Sequence, residues 1–163
     1  MVSAISFTEP PGYQNRTNVE TAINRLVSSD FLCWFATRFF ASKAVALLGI
    51  PPDTQERLTA EDWEEVHRVL ESMLPLGARL PSIGVDQSRD FPTDMPVNTI
   101  SVPTLVIHAQ DDTLVPYANG EHTTQAIDEA SFVSIPYGGH FLAGHSSEVR
   151  AQIGEFLQAA DRR

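Results

Sequence analysis

The feature that most constrains the fold is the run Thr104-Leu105-Val106-Ile107, which carries no charge and is mostly β-branched. A strand with one wet face alternates polar and apolar side chains, so an unbroken run of this kind belongs in a parallel strand buried on both faces. Ser131-Phe132-Val133-Ser134-Ile135 reads as a second strand, and the stretch from Tyr117 to Ile127 between them as a weak helix. Val149, Ile153, Phe156 and Ala160 then mark one face of a terminal helix. Strand, helix, strand, helix at short spacing predicts an α/β architecture for the end of the chain.

The chain before Val102 has a different character. Residues 2–7 alternate as a short strand and are stopped by Pro10-Pro11-Gly12. Thr17 and Glu20 make a capping box for a short helix reaching about Val27. Asp30 is placed to cap an aromatic-rich, buried or half-buried helix that runs to Leu48, where Gly49 and Pro51-Pro52 end it. Thr59 with Asp62 opens a further helix, in which Trp63, Val66, Leu70 and Leu74 recur at helical spacing before Pro75 closes it. Residues 76–98 are rich in Pro, Gly and Asp and read mostly as loop.

Composition narrows the partners. With 163 residues and a formal net charge of -10, the chain suits one acidic domain. Seven acids face two bases between Asp53 and Glu71, a solvated face that repels phosphate backbones, so nucleic acid is set aside. Arg38 and Lys43 interrupt the longest apolar stretch and argue against a membrane span. The lone Cys33, flanked by Leu32 and Trp34, reads as buried and inert, and it fits a reducing compartment. No signal peptide is visible at Met1, so a cytosolic, soluble protein is expected.

The chemistry sits in the two loops that follow the late strands. The first reads His108-Ala109-Gln110-Asp111-Asp112-Thr113-Leu114-Val115-Pro116, the second Pro136-Tyr137-Gly138-Gly139-His140-Phe141. Open α/β sheets place working residues beyond the carboxyl ends of their strands. A carboxylate after one strand and a histidine after the next is what general-base catalysis needs: the acid fixes the imidazole tautomer while the histidine moves the proton. His108, Asp111 and His122 could be drawn as a metal site, but their spacing fits no standard zinc pattern. His67 is read as solvated and His145 as helping to start the terminal helix.

These loops strongly resemble the C-terminal part of the α/β-hydrolase family, in which the acid sits four residues before the proline of a segment like Asp111-Asp112-Thr113-Leu114-Val115-Pro116. That register implies Asp112 as the triad acid, with Asp111 as its nearest rival. The stretch Gly138-Gly139-His140-Phe141 resembles the family's histidine loop and implies His140 as the catalytic base. The likeness runs from about Ile100 through Gly144-His145-Ser146-Ser147-Glu148-Val149 to Leu157. It includes residues 2–4 as the family's sixth strand, and it implies a helical cap over residues 15–98. The resemblance therefore implies the C-terminal portion of an α/β-hydrolase fold, about three parallel strands with flanking helices and an inserted cap. Residues 99–163 would carry the acid and the histidine.

One departure matters. The family's serine sits in a Gly-x-Ser-x-Gly elbow. The only Gly-x-Ser here is Gly144-His145-Ser146, with Glu148 in the fifth position and on the wrong side of the histidine. The nucleophile and its oxyanion hole would lie upstream of Met1, as if the first half of a hydrolase were absent. The resemblance implies a hydrolase of a small ester- or amide-like, apolar substrate, with no cofactor and no metal. It also allows an N-terminal hydrolase half as partner, or self-association through the first strand. The alternative is a non-catalytic binding protein. The aromatic run Phe31, Trp34, Phe35, Phe39, Phe40 is read either as core or as an apolar wall over the substrate.

Overall fold

The computed structural model describes residues 29–75, 78 and 96–162. The expected strand at 2–7, the helix at 17–27 and nearly all of the loop at 76–98 lie outside the described residues.

Among the described residues four α-helices precede the first strand: α1 (Asp30–Phe39), α2 (Ala41–Leu47), α3 (Pro52–Gln55) and α4 (Ala60–Ser72). The single helix expected from Asp30 to Leu48 is thus two. Phe40 breaks it, because its φ of -134° and ψ of 38° leave the α region. The cap of α1 is Ser29 rather than Asp30: the Ser29 hydroxyl accepts from the Leu32 N–H, and Asp30 falls in the first turn, where its charge suits the helix dipole. The aromatic side chains of α1 are also more open than a half-buried helix would be. Cys33 is its only buried residue, while Phe31 is 66% and Phe39 59% exposed. α4 begins as its sequence dictates, with Thr59 and Asp62 closing a reciprocal capping box.

The late chain forms a βαβ unit. β1 (Leu105–Ala109) and β2 (Ser131–Ile135) pair in parallel, with Leu105 opposite Ser131 and Ala109 opposite Ile135. Helix α5 (Tyr117–Ala126) makes the crossover that a parallel pair requires. Every residue of β1 is buried, as its unbroken apolar run demands. Helix α6 (Ser146–Ala160) closes the chain.

Two apolar cores meet at the histidine loop. Val45, Ile50, Val66, Leu70 and Ala143 form one, with Phe141 packed against it. Leu105, Ile107, Ala109, Ile135 and Leu142 form the other, backed by Val149, Ile153 and Phe156 of α6. Phe141 and Ala143 therefore point into the helical core while Leu142 between them enters the sheet core. Fully burying a side chain the size of Leu142 contributes about 1.5–3 kcal/mol, and the segment after His140 is held from both sides. Among the described residues no helix is long and apolar enough to cross a membrane.

Candidate active site

Asp112 and His140 come from the loops at the carboxyl ends of β1 and β2, adjacent strands whose register brings Ala109 beside Ile135. Asp112 Oδ2 lies 2.9 Å from His140 Nδ1. Its other oxygen, Oδ1, accepts the N–H groups of Leu114 and Val115, each at 2.8 Å. The carboxylate side chain is fully buried, while a quarter of the His140 side chain stays accessible.

Burial alone would push the Asp112 carboxyl up. The hydrogen bonds from His108, His140 and the Val115 N–H, together with the attraction of the His140 charge, outweigh it and hold the group well below the usual carboxylate range. An ionised carboxylate only accepts, so the proton between the pair belongs to His140 Nδ1, and Nε2 is left as the basic atom.

Asp111 has a different task. Its Oδ1 accepts the Gly139 N–H at 2.9 Å, and its Oδ2 accepts the Thr54 hydroxyl of α3. It ties the acid loop to the histidine loop and to the helical segment, and its carboxylate does not bond the His140 ring among the contacts described. It is consequently no bystander on the surface, and the register against Pro116 gave no sign of this.

The turn after α2 is the third wall of the site. Gly49 has φ +92°, and its carbonyl accepts the His140 N–H at 3.0 Å. A Cβ there would stand 2.7 Å from His140 Cβ and 2.8 Å from Leu114 Cβ. Gly139 answers from the other side, where a Cβ would lie 2.3 Å from the Gly49 carbonyl oxygen. Only paired glycines allow backbones to approach this closely.

The remaining candidates separate. His108 is buried in β1, with Nε2 3.4 Å from Asp112 Oδ2, so it belongs to the site rather than merely ending a strand. His67 is exposed beside Trp63. His145 caps α6 without a side-chain cap bond; its Nδ1 pairs with Glu148 at 2.8 Å. Ser146 donates to Glu65 of α4. Among the described residues no group of histidines, cysteines and acids could hold a metal ion. Cys33 is buried, which pushes its thiol up and away from reactivity, with Asp30 adding to the shift. A cavity of about 370 Å³ lies between α4 and α6, lined by Glu65, Phe141, Ser146 and Arg150 among others, but His140 does not line it. That cavity and the Asp112–His140 pair are therefore separate features of the structure.

Residues 82–162 match the α/β-hydrolase family described as TAP-like protein. A 50-residue stretch, 31% of this chain and 19% of the relative, is 38% identical to "Putative carbamate hydrolase RutD" of Pseudomonas savastanoi pv. phaseolicola. The crystal structure of bromoperoxidase from Bacillus anthracis superposes with a TM-score of 0.58 at 24% identity, covering 90% of this chain and 50% of that one. The chain thus spans half of that structure and about a fifth of the carbamate hydrolase. Parallel strands joined by a helical crossover, with an acid and a histidine beyond their carboxyl ends, agree with these likenesses: the chain is similar to the α/β-hydrolase family and has the fold of part of such a protein.

Proposed function

We propose that Asp112 and His140 are the acid and the general base of a serine-type hydrolase acting on a small ester- or amide-like substrate. In this reading the nucleophile comes from a segment outside these 163 residues. The observation that carries the reading is the 2.9 Å contact between His140 Nδ1 and a buried, ionised Asp112. Asp112 would hold the ring with Nε2 free of its proton and stabilise the imidazolium as it forms. His140 would take the hydroxyl proton of the attacking serine and return it to the leaving group. The carbonyl chemistry in the name of the carbamate hydrolase relative supports the substrate class. The mechanism needs no cofactor. The helices over residues 29–75 would serve as part of the cap, and their contact with the site through Gly49 and Thr54 supports that role.

One observation favours a second reading, a non-catalytic, hydrolase-like binding protein: the sequence contains no Gly-x-Ser-x-Gly. A p-nitrophenyl ester assay on this chain, alone and mixed with a nucleophile-bearing α/β-hydrolase segment, separates the two. The hydrolase reading expects background rates alone and saturable turnover, abolished by His140→Ala, in the mixture. Saturable turnover by the chain alone, lost in His140→Ala, would show that the chain supplies its own nucleophile.

A further inference from the structure

His108 is a buried imidazole for which the triad chemistry has no use. Its side chain has no exposed surface, and its ring stands edge-on to Tyr117 at 5.8 Å, with Tyr117 in turn against Phe132 of β2. Nε2 faces two oxygen acceptors, the Val115 carbonyl at 3.1 Å and Asp112 Oδ2 at 3.4 Å. Nδ1 has no hydrogen-bond partner among the described residues. Backbone closes over it: a Cβ on Gly120 of α5 would lie 2.7 Å from that nitrogen.

These surroundings admit one protonation state. Two acceptors at Nε2 require the proton there, since a bare nitrogen lone pair facing two oxygens would be repelled. A second proton on Nδ1 would be a buried donor without an acceptor, an arrangement that is unfavourable and more so for a charged group. The ring is accordingly neutral, with its proton on Nε2. The shorter arm of this divided hydrogen bond goes to Val115, whose own N–H donates to Asp112 Oδ1 at 2.8 Å. Residue 115 is therefore held at its carbonyl by His108 and at its amide by the acid, and the loop closes on itself around the carboxylate.

We propose that His108 is a positioning residue for Asp112: a neutral imidazole whose Nε2–H fixes the acid loop so that Oδ2 faces His140. The inference rests on Asp112 being the acid of the proposed triad, but its test needs no turnover. A bystander histidine that only fills space between β1 and α5 could be replaced by Phe with no effect on the neighbouring pair.

The experiment is imidazole NMR on the ¹⁵N-labelled chain. His108 is expected as the neutral Nε2–H tautomer, which the ¹⁵N shifts of its two ring nitrogens distinguish from the other forms. His140 is expected to show a downfield Nδ1–H proton, protected by its bond to Asp112. In folded His108→Phe, checked by circular dichroism, that resonance should be lost to solvent exchange. In His108→Gln, whose amide can still donate from the position of Nε2, it should return. An Nδ1–H tautomer or an imidazolium at His108 in the wild-type chain overturns the proposal, and does so even if His108→Phe fails to fold. A His140 signal untouched in folded His108→Phe overturns it too, while leaving the Asp112–His140 reading intact. Absence of the signal in the wild-type chain sinks both.

Discussion

Asp112 Oδ2 stands 2.9 Å from Nδ1 of His140, in a carboxylate whose other oxygen is occupied by the amides of Leu114 and Val115. Donors on both oxygens make ionisation favourable in the folded state despite burial. Stability must then depend on pH in a definite direction. The folded-state pKa is depressed below its ordinary 3.8, so the contribution is present above that value and lost as pH falls below it toward the folded pKa. Acid melts of the wild type and Asp112→Asn should differ accordingly. The wild type should lose Tm more steeply than the variant as pH drops below about 4, near the ordinary carboxylate pKa. Parallel acid limbs would mean that the folded carboxyl is not depressed.

Asp111 and Asp112 are neighbours with separable roles. Asp111→Ala removes the acceptor of the Gly139 N–H and of the Thr54 hydroxyl. It should destabilise the chain by about 1–3 kcal/mol, as expected for hydrogen bonds to a charged group. The His140 Nδ1–H signal should nevertheless remain in the folded fraction. Asp112→Asn should remove that signal. The same outcome for both variants would move the acid by one residue.

Two glycines should respond to alanine with opposite sign. At Gly49 a methyl group meets His140 and Leu114 below 3.0 Å on a backbone with φ +92°. Strain of this kind costs about 1–3 kcal/mol before any clash is counted. At Gly154, within α6, nothing lies within 4 Å of the added Cβ, and alanine should stabilise the helix by about 0.5–1 kcal/mol. Thermal melts of the two variants check the pair. A neutral Gly49→Ala would show that the turn after α2 is not wedged against the dyad.

Much of this was legible because the local signals were strong. The charge-free run at residues 104–107 needed burial on both faces, and β1 has it. Thr59 and Asp62 announced α4 because their hydrogen bonds are local. The break at Phe40 was hidden because nothing in the aromatic run is a helix breaker, and Phe40 itself is half exposed. The partners of Asp111 and the contacts of His108 were hidden because they are distant in sequence or depend on how a loop folds back. Thr54 lies 57 positions from Asp111, and a histidine inside a strand carries no pattern that says which loop folds back onto it.

The aromatic face of α1 bears on association. Phe31, Phe35 and Phe39 contact one another in turn along the helix yet are each at least 40% exposed, and we propose this patch as an association surface. The purified chain is expected to dimerise, aggregate or require a second hydrolase segment, as light scattering after size exclusion would show. A monomer with a cooperative melt would contradict this. The first strand, expected as the pairing edge, lies outside the described residues.

The most direct test of the central claim is turnover by an assembled enzyme. The chain, joined to or mixed with an α/β-hydrolase segment that carries a Gly-x-Ser-x-Gly serine, would be assayed on p-nitrophenyl esters beside its His140→Ala and Asp112→Asn variants. Saturable hydrolysis is expected in the wild-type assembly, with a loss in kcat of about 10⁴-fold in each variant, the scale on which triad members act. An active assembly in which His140→Ala keeps its kcat would contradict it.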